Sequence, residues 1–154
     1  MMAHGFVVVG LFFAAEIIFR RLETRTISEM GGIRTQAPAF ASMFMILVFA
    51  SVSLPSTFNF IGEFTVLYSL FQVNIWFSIL GGLTIILGAY YMFLLYQNSM
   101  LGETNTKVFK DVTFSEGLVM VSIIGVIMFF GLYPKPLTDL ITPSLEAIIL
   151  QINK

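Results

Sequence analysis

Apolar residues fall in four long blocks along the chain, separated by short polar stretches. The blocks cover residues 3–19, 37–71, 75–96 and 113–133. Because an α-helix rises about 1.5 Å per residue, roughly 20 residues span a hydrocarbon core about 30 Å thick. The first, third and fourth blocks therefore each predict one transmembrane helix, and the second block is longer than a single span needs.

The second block carries two features that predict a break inside the membrane. Pro55 lies near its centre, where a proline removes a backbone donor and interrupts a helix. Glu63 follows in the same apolar stretch. We therefore predict a discontinuous helix, with Pro55, Asn59 and Gly62 at the break. Asn59 is expected to cap the second half-helix. Glu63 would then lie in its first turn, where the helix dipole favours a carboxylate.

Glu63 is the leading functional candidate, because an ionisable side chain at this depth is costly and usually marks an ion or proton path. The alternative is a structural carboxylate hydrogen-bonded to nearby backbone. His4 is the single imidazole of the chain. A lone histidine on an apolar helix is often only hydrogen-bonded to a neighbour, but imidazole exchanges protons near neutral pH. Its occurrence together with Glu63 favours a proton relay.

Local spacing makes two predictions about helix ends. Thr113 and Glu116 have the spacing of a capping box, which predicts the start of the fourth helix. Glu16 precedes Arg20 by four residues, in the order that favours a local ion pair.

The tail, residues 134–154, has the pattern of an amphipathic helix. Apolar residues recur there at positions 137, 140, 141, 145, 148, 149 and 152. Thr142 and Pro143 suit an N-cap followed by proline in the first helical position. A helix of about ten to fifteen residues that starts at this point cannot span the membrane, so it is expected to lie on the membrane surface or on a partner.

Composition and charge place the chain in a membrane and exclude several functions. It is 57% hydrophobic and only 11% charged, whereas soluble domains are about 25% charged. Without cysteine this chain cannot ligate an iron–sulfur cluster, and one histidine makes a haem or zinc site implausible. A net charge of −1 offers no basic surface for nucleic acid. Electron transfer is therefore not expected of this polypeptide itself.

The basic residues lie mainly in the two stretches that would face one side of the membrane. These are Arg20, Arg21, Arg25, Arg34, Lys107 and Lys110. The excess of basic residues predicts that this side faces the cytoplasm of a bacterium, or the matrix if the membrane is the inner mitochondrial one.

Several short motifs occur in an order that resembles a known family. They are Ala3-His4-Gly5, Gly10-Leu11-Phe12, Thr24-Arg25, Met30-Gly31-Gly32, Leu54-Pro55 and Asn59-Phe60-Ile61-Gly62-Glu63-Phe64. Together they are similar to the antiporter-like membrane subunits of respiratory complex I, the proton-translocating NADH:quinone oxidoreductase. The resemblance covers nearly the whole chain, but only the last third of such a subunit.

This resemblance implies an all-α integral membrane fold with four spans, the second discontinuous, and a C-terminal amphipathic surface helix. Residues 1–133 would be the C-terminal portion of the proton-translocating domain, and residues 134–154 a surface tail that links neighbouring subunits. Glu63 is implied to be the terminal proton-exchanging residue, and His4 the relay histidine. The glutamate at position 63 sets this sequence apart from sister antiporter-like subunits and from sodium/proton antiporters, which typically carry a lysine at that position.

The resemblance also implies partners and cofactors. NADH, flavin, iron–sulfur clusters and quinone would belong to other subunits, so this chain would hold no cofactor. Its partners would be other membrane subunits, including neighbouring antiporter-like ones, together with the lipid bilayer and protons. No nucleic acid is expected.

Two departures from the family pattern leave alternatives open. Pro55-Ser56-Thr57 stands where the family more often has Pro-Gly-Thr. The family's charged residues on earlier helices are also absent, so the chain is expected to be a fragment that cannot complete a proton path alone. The alternatives are a subunit of a multisubunit sodium/proton antiporter or of a membrane-bound hydrogenase, and a truncated membrane piece with a purely structural role.

Overall fold

The computed structural model describes residues 1–103 and 108–152, and these form helices without any strand. The elements are α1 (Met2–Leu22), a 3-10 turn (Ile27–Glu29), α2 (Ile33–Gln36), α3 (Pro38–Ser51), α4 (Phe58–Val73), α5 (Ile75–Met100), α6 (Phe114–Leu132) and α7 (Lys135–Ile152). Lys107, which entered the charge distribution above, and the last two residues of the predicted tail lie outside the described residues.

Three of these helices are long and apolar enough to cross a membrane. They are α1 with 21 residues, α5 with 26 and α6 with 19. The second apolar block is discontinuous as predicted, because α3 and α4, with 14 and 16 residues, are separated by residues 52–57. The all-α membrane class is thus confirmed, while a fourth span formed by α3 and α4 together stays a prediction.

The core lies where α1, α3 and α6 pack against one another. Its largest side chains are at most 2% exposed and include Ile17, Phe40, Leu47, Met120 and Ile127. α5 joins this core through its last third, where Met92, Tyr96, Ser99 and Met100 are buried. The rest of α5 presents exposed apolar side chains, as expected of a surface that faces lipid or another protein.

The third block forms a longer helix than its apolar pattern predicts. α5 continues through Gln97 to Met100, residues that the pattern assigns to a polar loop. Its last turn is held by packing, because Ser99 and Met100 are 1% and 0% exposed. At its other end, Asn74 alone separates α4 from α5, and the Oδ1 atom of Asn74 accepts the backbone N–H of Trp76 at 2.9 Å.

The amphipathic tail helix begins earlier than predicted. Thr142 is not its N-cap, and Pro143 is not in its first turn, because α7 starts at Lys135 and Pro143 lies inside it. The carbonyl oxygen of Pro134 accepts the backbone N–H of Leu137 at 3.0 Å, which starts the helix directly after the end of α6.

Candidate functional site

The break between α3 and α4 is closed by a tight turn at residues 54–57. The backbone N–H of Thr57 donates to the carbonyl oxygen of Leu54 at 3.1 Å, and the Thr57 hydroxyl donates to the same oxygen at 2.7 Å. Pro55 is the second residue of this turn, and Ser56, with a φ of 80°, is the third. This is the arrangement of a type II turn, whose third position favours glycine.

A second residue of the break, Ser53, also has a positive φ, of 55°. It is 8% exposed, and its hydroxyl has no hydrogen-bond partner among the residues that the structure describes. Such backbone conformations cost of order 1–3 kcal/mol per non-glycine residue and persist only where the surroundings hold them. The break is therefore a strained segment that depends on its packing.

The structure corrects two of the three residues assigned to the break. Thr57, and not Asn59, is the N-cap residue of α4, and its hydroxyl bonds back to Leu54 instead of to an amide of the helix. Because this turn lets α4 start at once with Phe58, Asn59 becomes the second residue of the helix and is buried, with 6% exposure. Gly62 lies inside α4.

Glu63 consequently lies in the second turn of α4, not in the first. The influence of the helix dipole falls off within the first turn, so the dipole supports this carboxylate less than the pattern predicts. The Glu63 side chain is partly buried, and it forms no hydrogen bond or ion pair with another described residue. The structure therefore offers no support for a structural carboxylate bonded to nearby backbone.

His4 lies in the first turn of α1 and is exposed. α1 contacts α4, so the two candidate residues stand on contacting helices. No hydrogen bond joins them, and the relay role of His4 stays a prediction. Within residues 1–103 and 108–152, no cluster of histidine, aspartate and glutamate side chains could hold a metal ion.

A polar cluster, here called the end cluster, joins the C-terminal end of α1 to the N-terminal end of α6. Arg21 Nη2 lies 2.7 Å from Glu116 Oε2 and donates to the carbonyl oxygen of Asp111 at 3.2 Å. The guanidinium of Arg21 also lies 5.0 Å from the centre of the Phe109 ring. The Arg21 and Glu116 side chains are 14% and 24% exposed, so this ion pair is shielded from solvent.

The sequence predicts the local part of this arrangement and misses the long-range part. The capping box is confirmed, since the Thr113 backbone N–H donates to Glu116 Oε2 at 2.8 Å and Thr113 Oγ1 accepts the Glu116 N–H at 3.4 Å. Glu16 and Arg20 also form the expected ion pair, at 2.8 Å. Nothing in the pattern identifies Arg21 as the partner of Glu116, because 95 residues separate them.

Asp111 caps α3, which has no side-chain cap of its own. Its Oδ2 accepts the backbone N–H of Ala39 at 3.1 Å, and its Oδ1 accepts those of Phe40 at 2.9 Å and Val112 at 2.8 Å. Partial burial raises the pKa of the Asp111 carboxyl, but the three backbone hydrogen bonds and the nearby Arg21 charge lower it by more. Its pKa therefore lies below the ordinary value.

We expect Asp111→Ala to lower the free energy of unfolding by about 0.5–2 kcal/mol, the usual loss when a helix cap is removed. Because folding lowers the pKa of Asp111, its ionised carboxylate contributes fully above the ordinary carboxyl pKa of about 4. That contribution is lost as the pH falls through the lower pKa of the folded state. Thermal unfolding of the purified protein in detergent, followed from neutral to acid pH, measures this contribution of Asp111 to stability.

Lys110→Ala, at an exposed neighbouring position, is the control for this prediction. A difference between Asp111→Ala and wild type that keeps its full size in acid would contradict the prediction.

Ser56→Gly is expected to stabilise the protein by up to about 1 kcal/mol. Glycine removes the steric cost of a left-handed residue, about 1–2 kcal/mol, and part of that gain is offset by the greater freedom of glycine in the unfolded chain. Ser122→Gly is the matched control, because Ser122 is an exposed residue in the interior of α6 and glycine in a helix interior is unfavourable. Thermal unfolding should rank Ser56→Gly above wild type and Ser122→Gly below it. The opposite order would show that the turn is not strained.

Discontinuous membrane helices are an arrangement that transport proteins use, and the proline turn between α3 and α4 gives this chain such an interruption. Consistent with that class, the family model described as "NADH:quinone oxidoreductase/Mrp antiporter, TM" matches residues 1–88. The chain belongs to this family and is an integral, multi-pass membrane protein. The family resemblance inferred from the motifs is thus confirmed.

Relatives and a solved structure agree with this assignment. Proteins named NADH-quinone oxidoreductase subunit M are 39% identical in Rickettsia typhi, 36% in Rhodobacter capsulatus and 36% in Mycobacterium tuberculosis, over 98%, 97% and 95% of this chain. The chain spans 31%, 30% and 27% of their lengths. A chain of respiratory complex I from Thermus thermophilus with bound NADH is 26% identical, with a TM-score of 0.77 over 84% of this chain and 28% of that one.

Proposed function

We propose that this chain is part of the proton-translocating membrane arm of an NADH:quinone oxidoreductase and contributes the terminal half-channel of a proton path. One observation carries the proposal. Glu63, partly buried and without a described hydrogen-bond partner, stands on the half-helix that follows the proline break. The similarity to proteins named subunit M supports the same conclusion.

In this proposal the break provides a polar route for protons, and the Glu63 carboxyl exchanges them. A backbone interruption at membrane depth leaves polar groups that are tolerated where they are buried in protein or line a water-filled cavity. Residues 52–57 would supply such groups beside α4. The Glu63 carboxyl takes up a proton that arrives along this route and releases it toward the other side. His4, on the neighbouring helix α1, passes protons to or from this position.

The redox chemistry belongs elsewhere in the complex. This chain has no cysteine that could hold an iron–sulfur cluster, and the family resemblance assigns NADH, flavin and quinone, like the clusters, to other subunits. Its own partners are other membrane subunits, including neighbouring antiporter-like ones. It counts as an enzyme only as a subunit of that translocase.

The nearest alternative is a subunit of a multisubunit sodium/proton antiporter or a membrane-bound hydrogenase. The description of the matching family model includes the Mrp antiporters, but position 63 is a glutamate where the resemblance leads us to expect lysine in an antiporter. A structural membrane piece is a further alternative, which would not need an ionisable residue beside the break.

Proton pumping by the intact complex that contains this chain, reconstituted in liposomes, tests the proposal. NADH-driven acidification that depends on Glu63 supports it. Proton exchange that requires a sodium gradient and no NADH would support the antiporter alternative.

A further inference from the structure

The end of α6 lies against the backbone of the break. A Cβ atom added to Gly131 would touch the carbonyl oxygen of Ser56 and would lie 2.6 Å from the carbonyl carbon of Thr57 and 2.8 Å from the amide nitrogen of Phe58. Ordinary contact of a Cβ begins at about 3.4 Å. Because all three atoms belong to the backbone, no side chain can rotate away to relieve the contact, and the turn and the end of α6 must shift relative to each other.

No other glycine within the described helices would bring a Cβ into close contact with backbone atoms. A Cβ on Gly125, in the same helix, would have no atom within 4 Å. A Cβ on Gly10 would meet side-chain atoms, the nearest being Leu47 Cδ2 at 2.7 Å, and a side chain of this kind can rotate away. The close approach at Gly131 is therefore a specific contact between α6 and the break.

The segment held at this contact needs an external support. Ser53 and Ser56 both have left-handed backbone conformations, which persist where the surroundings impose them. Thr57 is 3% exposed. The contact continues beside Gly131, where the rings of Phe58 and Phe130 lie 5.5 Å apart.

We propose that Gly131 is a positioning residue, which fixes the turn at residues 56–58 by backbone contact and thereby sets the place of the half-helix that carries Glu63. The inference deepens the proposed function and rests on it for the role of Glu63. α4 starts at Phe58, one of the residues in contact, and Glu63 follows five residues later in the same helix. An added Cβ on Gly131 and the Phe58 amide would have to separate by more than about half an ångström, and the part of that separation taken up by the turn would shift Glu63 as well.

The experiment compares Gly131→Ala with Gly125→Ala in the intact complex. Both changes add one methyl group to α6, and both gain helix propensity. We measure subunit content, protons translocated per NADH oxidised, and hydrogen exchange of the backbone amides of residues 52–60. Gly131→Ala should accelerate exchange at the break and lower pumping per assembled complex by about tenfold, since misplacing a reacting group by about 1 Å can cost as much as 100-fold. Gly125→Ala should match wild type in all three measurements.

A second variant covers the case in which Gly131→Ala fails to assemble. Combined with Ser56→Gly, which frees the backbone at the contact, Gly131→Ala should recover assembly and part of the pumping. Absence of that recovery, or hydrogen exchange and pumping equal to those of Gly125→Ala, overturns the proposal. Hydrogen exchange also separates the two proposals: faster exchange at the break supports the positioning contact even where Glu63→Gln shows that the proton path lies elsewhere.

Discussion

Replacing Glu63 by glutamine should lower NADH-driven proton translocation by the intact complex about 100-fold or more, in line with the contribution of a single proton-transfer group, while subunit content stays normal. Glutamine keeps the size and polarity of the side chain but cannot exchange a proton. Because the Glu63 side chain has no described hydrogen-bond partner or ion pair, the substitution breaks no hydrogen bond or ion pair among the described residues, and a loss of pumping with normal subunit content reports on the chemistry.

Two companion variants sharpen this test. Glu63→Asp keeps the acid and shortens its reach, so it should reduce pumping less than Glu63→Gln. Glu16→Gln is the matched control, because it neutralises a membrane-helix glutamate that is exposed and, among the described residues, is paired only with Arg20. We expect it to pump normally. Normal pumping by Glu63→Gln would remove the central claim of the proposed function.

The same assay examines the relay assigned to His4. His4→Gln keeps hydrogen-bonding capacity and loses the second protonation state, so pumping should fall, though by less than with Glu63→Gln, because water can bridge a missing relay group. Pumping equal to wild type would leave His4 as an ordinary polar residue at the start of α1.

The second large effect is expected on the surface helix α7. Ile148→Asp together with Ile149→Asp should weaken assembly of the membrane arm. The apolar stripe of this helix includes Leu140, Ile141, Leu145, Ile148 and Ile149, which are 46–75% exposed in the chain by itself. Burying one such side chain contributes about 1.5–3 kcal/mol. Two aspartates at these positions remove that contribution twice and would also have to be buried as charges, which opposes the docking of α7.

Ala147→Asp together with Leu150→Asp provides the matched control for α7. It adds the same two charges to the same helix, at positions outside the stripe. Native gels and subunit content of the purified complex compare the two double variants. If both assemble as wild type does, the stripe is not an assembly element. If both fail equally, added charge on α7 and not the loss of the stripe explains the defect.

Much of this fold could be predicted from local pattern. The apolar blocks, the interruption at Pro55 and the capping box of Thr113 and Glu116 each depend on residues close together in the chain. Their effects on the backbone, through burial, a missing N–H or a short side-chain hydrogen bond, act within a few residues. The position of Glu63 near a helix break follows from the same local information.

The predictions that the structure corrects depend instead on contacts beyond the local sequence. Asn59 is a plausible cap by residue type, but the turn at Leu54–Thr57 decided where α4 starts. Residues 97–100 look like the start of a polar loop, but they are helical because the core buries Ser99 and Met100. Thr142 and Pro143 look like a helix start, but the chain had already entered α7 at Lys135.

The sequence by itself determined that this is a helical membrane protein with a broken helix and one acid beside the break, since hydrophobicity and proline act locally. Only the tertiary structure decided what holds that break and its surroundings. Asp111 caps α3 across 71 and 72 residues, Arg21 pairs with Glu116 across 95, and Gly131 lies against the turn from another helix. The physical reason is that these contacts depend on how the helices pack, and a contact between distant residues leaves no periodic or spaced signal in a single sequence.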